Sequence, residues 1–152
     1  MNDPVSRADV ERFYEAYDSR DANRIGAMLD DNVVWDVFGP VAVMQNCGQW
    51  RGKAAVIDRF AHLVPEMIDF KKFERDCMLV DGDESAVCGR FIIKHRATGR
   101  TISHRCAHFV RYRNGKVVSF RAIIDTLDAA EQYLGHAIDF GSVANESDLI
   151  GV

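Results

Sequence analysis

The sequence has no Cys-x-x-Cys pair, no basic-then-apolar segment at its start, and no apolar run near the ~18 residues of a membrane span. With only three prolines it has no proline-rich linker, and no repeat or low-complexity stretch divides it. Excess positive charge is also missing: the formal net charge is −4, which disfavours nucleic acid and anionic lipid as partners. Gly-rich phosphate loops, a serine nucleophile elbow and a zinc-protease helix motif are absent, so no cofactor is expected. Cys47, Cys77, Cys88 and Cys106 are expected to be reduced, in a cytoplasmic protein, because a chain of this size needs no disulfide staples.

What is present is the makings of one core. The 152 residues, 47% hydrophobic and 28% charged, fit a single domain over 1–152. Val10, Phe13, Tyr14 and Tyr17 recur at helical spacing and predict an amphipathic first helix, capped at Asp3-Pro4 or Ser6. Ile25, Met28 and Leu29 mark a short second helix, and Asn32 to Val37 a short strand. Between Pro40 and Gly52 the chain reads as an irregular excursion, followed by a third helix with Ile57, Phe60, Ala61 and Val64 on one stripe, ended or bent at Pro65.

Beyond Asp69 the period changes to that of strands, with turns at Asp81-Gly82-Asp83, Thr98-Gly99 and Asn114-Gly115. Four strands are predicted near 70–80, 85–95, 101–112 and 116–125, then a helix over 127–134 and a weakly periodic C-terminal extension over 135–152. The expected class is α+β: a curved antiparallel sheet covered by three N-terminal helices that leave a cavity between them.

Four stretches carry a family resemblance. Phe13-Tyr14-Glu15-Ala16-Tyr17 with Asp21 and Asp31 to Trp35, Arg51 to Val56, Arg111 to Val118, and Phe120 to Thr126 together resemble the nuclear transport factor 2-like superfamily. Within it the likeness is to SnoaL-like and ketosteroid isomerase-like proteins, over most of residues 8–130. The resemblance implies a cone-shaped α+β barrel, a homodimer built through the sheet, and an apolar pocket for a small apolar molecule. It does not imply one chemistry, because the fold hosts cyclases, isomerases, hydrolases and proteins without catalysis.

Aligned with ketosteroid isomerase-like proteins, Phe13 and Val37 fall where the reactive tyrosine and base would stand, with Tyr14 and Asp36 one residue away; His108 falls at the third position. The Asp-Arg-Asp set of limonene epoxide hydrolase-like proteins keeps only its last carboxylate, at Asp125, with Arg90 near the middle pair. SnoaL-like cyclases rely on one aspartate at the end of the last strand, which again matches Asp125.

Strand alternation would set Arg121, Ile123 and Asp125 on one face, and Ile102, His104, Cys106, His108 and Val110 on another. If both faces look inward, Asp125 is a general base beside His108 and Arg121, which would stabilise an oxyanion. The expected ligand-binding wall is Tyr14, Tyr17, Trp35, Trp50, Phe60, Phe91, His104 and Ile123. Asp125 also suits a helix cap before Thr126, and His104, Cys106 and His108 lack a fourth ligand, so no metal is expected. The leading reading is a cofactor-independent proton transfer of isomerase, cyclase or lyase type on a small apolar carbonyl compound. The alternative is a non-catalytic hydrophobic-ligand-binding or dimerisation module.

Overall fold

The computed structural model describes residues 3–141. Helix α1 (Arg7–Ser19) begins at a reciprocal cap, in which the Ser6 hydroxyl accepts from the Asp9 amide and the Asp9 carboxylate accepts from the Ser6 amide. Its buried stripe is Val10, Phe13, Tyr14 and Tyr17, as the spacing predicts. Helix α2 (Ala22–Ala27) is capped by Asp21. The third helical region is broken in three: α3 (Lys53–Asp58), a π-helical turn (Arg59–Leu63) and α4 (Val64–Met67). The wider turn changes the phase of the stripe, so Val56, Arg59, Phe60 and Val64 are buried while Ala61 is exposed.

Six strands form one open sheet: β1 (Leu29–Phe38), β2 (Gly48–Arg51), β3 (Ile68–Asp81), β4 (Glu84–His95), β5 (Thr101–Arg113) and β6 (Lys116–Ile124), in the order β2-β1-β6-β5-β4-β3. The four-strand meander lies where the turn signals place it. Three features differ from expectation. Part of the excursion before Gly52 pairs with β1 as β2, and β1 runs parallel to β6, so the sheet is mixed and not wholly antiparallel. Its edges, β2 and β3, stay apart, so no closed barrel forms. Register shifts on β3 between Phe70 and Lys72 and between Arg75 and Cys77 bend the sheet. Gly89 permits the second bend, because a Cβ there would lie 1.9 Å from the Glu74 carbonyl oxygen.

Helix α5 (Thr126–Leu134) closes the fold, and Gly135 ends it in a left-handed conformation. Of the predicted extension, residues 135–141 are seen, with the Ile138 amide donating to Glu131; residues 142–152 lie outside the described residues. The core sits between α1 and the concave face of the sheet. Its centre is Trp35 stacked on Phe120, with ring centroids 3.7 Å apart, flanked by Phe13, Tyr17 and Phe60. No helix among the described residues is long and apolar enough to cross a membrane.

Candidate functional site

A cavity of about 40 Å³ remains between the concave sheet face, the end of α1 and the π-helical turn. Strands β5 and β6 furnish its floor. Cys106 pairs with Ile124, His108 with Ala122 and Val110 with Phe120, and cross-strand partners share a face. His104, Cys106 and His108 therefore look inward as expected, with Ala122 and Ile124 beside them.

The inward face expected for β6 is corrected. Between Val117 and Ser119 the pairing skips Val118, a one-residue bulge. Such a bulge reverses the alternation beyond it, so Val117 is buried and so are Phe120 and Ala122. Arg121 and Ile123 are consequently exposed on the outer face, with the Arg121 guanidinium over Phe109. Asp125 is also exposed, and its carboxylate accepts from the Asp128 amide at 3.3 Å as the N-cap of α5. These three side chains stand outside the cavity lining. Asp36 likewise faces away, toward Gln49.

Of the expected wall, Tyr17, Trp35, Phe91 and His104 line the cavity. Tyr14, Trp50 and Phe60 stand behind it: Tyr14 holds His108, Trp50 packs under Arg59, and Phe60 meets Trp35 edge-on. Arg20, Asn46 and Arg59 also line the cavity, and the sequence reading omitted all three.

Both histidines are held neutral. Burial draws the His108 pKa down to about 3, with the charges of Arg20 and Arg75 acting in the same direction. The Tyr14 hydroxyl lies 3.1 Å from His108 Nδ1, and burial raises the Tyr14 pKa well above the ordinary phenol value. A hydroxyl can donate or accept at that contact, and on the other side of the ring His108 Nε2 lies 3.9 Å from the Cys106 sulfur. His104 Nδ1 lies 3.2 Å from the Arg105 carbonyl oxygen, which can only accept. Burial lowers the His104 pKa too, leaving Nε2 as its bare nitrogen. One cavity-lining imidazole, His104, thus has a lone pair to offer on Nε2. The Cys106 thiol is pushed up to about 12 by burial and stays protonated.

Arg59 is only 6% exposed and donates through Nη2 to the Asn46 carbonyl at 3.0 Å. Burial pulls its pKa down to about 10, so it keeps its charge at neutral pH. Arg20 occupies the left-handed position after α1 (φ 56°), where glycine is the usual choice, and its guanidinium stacks 3.8 Å from the Phe70 ring centroid and 4.2 Å from that of Tyr17. Among the described residues, the buried side-chain nitrogens and oxygens without a hydrogen-bond partner belong to Arg20, Trp35, Asn46 and Arg59. All four residues line this cavity.

The sequence matches the SnoaL-like domain family over residues 10–120, and the chain belongs to that family. Among solved structures, a Rhodopseudomonas palustris protein provisionally assigned as an isomerase is 27% identical, with a TM-score of 0.77 over 87% of this chain and 100% of its own. A nuclear transport factor 2-like protein of Burkholderia thailandensis is 26% identical, with a TM-score of 0.72 over 87% of this chain and 98% of its own. A third structure, of a protein named TerC crystallised with polyporic acid, is 20% identical with a TM-score of 0.67 over 84% and 96%, and supports the fold alone. No curated protein matches the chain.

Proposed function

We propose that the chain binds a small carbonyl compound in the cavity between α1 and the sheet and moves a proton on it without a cofactor. The observation that carries this reading is that the residues bearing the unpartnered buried polar atoms all line one aromatic-walled cavity. A buried donor or acceptor without a partner costs roughly 1–3 kcal/mol, so a cluster of them is a functional expense and not packing noise.

In this reading the His104 Nε2 lone pair takes a proton from the carbon beside the carbonyl. The C–H electron pair becomes the enolate C=C bond as the C=O π pair moves onto oxygen, which accepts a hydrogen bond from His108 Nε2–H, the Tyr14 hydroxyl donating to Nδ1. The proton then returns to the same or a neighbouring carbon. A neutral imidazole suits both tasks near neutral pH. The base is reassigned from Asp125 to His104, because a carboxylate engaged in capping α5 outside the cavity is poorly sited for the step.

The test is hydrogen–deuterium exchange at the α-carbon. A panel of small ketones and 2-oxo acids is incubated with the protein in D2O and followed by proton NMR. Exchange above the buffer rate is expected for at least one member, lost in His104→Gln and kept in Asp125→Asn. Exchange at the buffer rate throughout would remove the catalytic step and favour a non-catalytic binding module.

The same reading takes residues 1–152 as one domain, working in a reducing, cytoplasmic setting that suits four free cysteines. It also takes the chain as a homodimer through the outer face of the sheet, where Leu79, Phe109 and Ile123 are exposed beside Arg121.

A further inference from the structure

From the charge inside the cavity we infer that its ligand is an anion: a small organic acid whose carboxylate, or an equivalent oxyanion, is gripped by Arg20 and Arg59. This rests on the reading of the cavity as the ligand site and names the class of molecule that enters it.

Both guanidinium carbons lie against one ring, at 5.7 Å and 5.0 Å from the Phe60 centroid for Arg20 and Arg59 respectively. Neither forms a salt bridge with a carboxylate among the described residues, although the chain as a whole is acidic. Arg20 Nε and Nη2 and Arg59 Nε are buried and unpaired. Two like charges brought together in an apolar setting repel, and each pays desolvation as well. A planar, delocalised guanidinium pair is matched by a carboxylate, which accepts several N–H bonds at once.

The local backbone adds to the case. Arg20 holds a left-handed conformation in which a β-carbon is unfavourable, and Arg59 begins the π-helical turn that carries both it and Phe60 inward. Two irregular features therefore deliver the two cations to one place.

Size limits the molecule. A cavity of about 40 Å³ admits an acid head but no drug-sized body. A hollow of about 360 Å³ adjoins it, sharing Arg20, Val64 and Ile68. The carboxylates at that hollow, Asp18 and Asp69, are engaged by Arg75 and Lys71. They leave the arginine pair available. An acid with its head at the guanidiniums and a flat apolar body in the hollow fits this shape.

The experiment compares benzoate with benzamide, which share a body and differ in charge, by titrating each into the protein while following the side-chain NMR signals of His104 and His108. Benzoate is expected to bind at least tenfold more tightly. Arg20→Met and Arg59→Met are each expected to lower benzoate affinity at least tenfold. Free Arg59→Met should melt no lower than the parent, since the variant relieves an unpaired buried charge. Equal binding of acid and amide, with histidine shifts in both, would overturn the anionic class and leave the ligand site standing. Benzoate affinity unchanged in both variants, with a lowered melting temperature for Arg59→Met, would make the guanidiniums structural and also overturn it. If neither probe moves the histidine signals, the ligand site itself falls and the inference falls with it.

Discussion

Tyr14 on α1 and His108 on β5 lie 94 positions apart in sequence and are joined by a 3.1 Å contact between the phenol oxygen and Nδ1, with ring planes within 9° of parallel. In the proposed mechanism the hydroxyl is the donor of this contact, which leaves the His108 proton on Nε2. Tyr14→Phe should leave His108 Nδ1 without its hydrogen-bond partner in a buried setting. The expected cost is about 1–3 kcal/mol of stability by urea unfolding, together with a His108 population split between two tautomers.

A second consequence concerns acid. The folded His108 pKa of about 3 lies below its unfolded value, so between about pH 6.5 and 3 the unfolded chain binds the extra proton. Stability is therefore full above about pH 6.5 and falls as pH drops through this window, by on the order of 4 kcal/mol from this group. His108→Gln, which still offers Tyr14 an acceptor, should flatten that slope. Unfolding free energies measured at intervals from pH 4 to 7 provide the check.

Asp125 gives a separable prediction. As the N-cap of α5 it should contribute stability through the Asp128 amide, so Asp125→Ala is expected to cost roughly 0.5–2 kcal/mol and Asp125→Asn close to nothing. Neither should alter α-proton exchange. Loss of exchange in Asp125→Asn with the melting temperature intact would return the carboxylate to the chemistry.

The outer face of the sheet bears on assembly. If Ile123 and Phe109 meet a second copy, Ile123→Glu should convert a dimer to a monomer in light scattering after gel filtration, without loss of helix or strand signal. A parent protein that is monomeric at micromolar concentration would contradict this proposal.

Much of the fold was legible because the signals were local. The stripe Val10, Phe13, Tyr14 and Tyr17 and the Asn114-Gly115 turn each determine their element within a few residues. The parallel pairing of β1 with β6 was not legible, since it depends on which distant strand meets the edge. The face of β6 turned on a single bulge at Val118, which no local period announces; the flanking pattern of Phe120, Arg121 and Ala122 held the clue, as a large aromatic beside an arginine favours the aromatic inside. Arg20 and Arg59 were passed over for a related reason. Charged residues on a helix are usually solvated, and only the left-handed cap and the π-helical turn bring these two inward.

The proposed mechanism requires one neutral histidine to present a lone pair and the other an N–H to the same cavity. Long-range proton–nitrogen NMR of the imidazole side chains at pH 7 reads this directly. The expected result is a neutral His104 protonated on Nδ1 and a neutral His108 protonated on Nε2. Two histidines in the same tautomer, or either one doubly protonated at that pH, would contradict it.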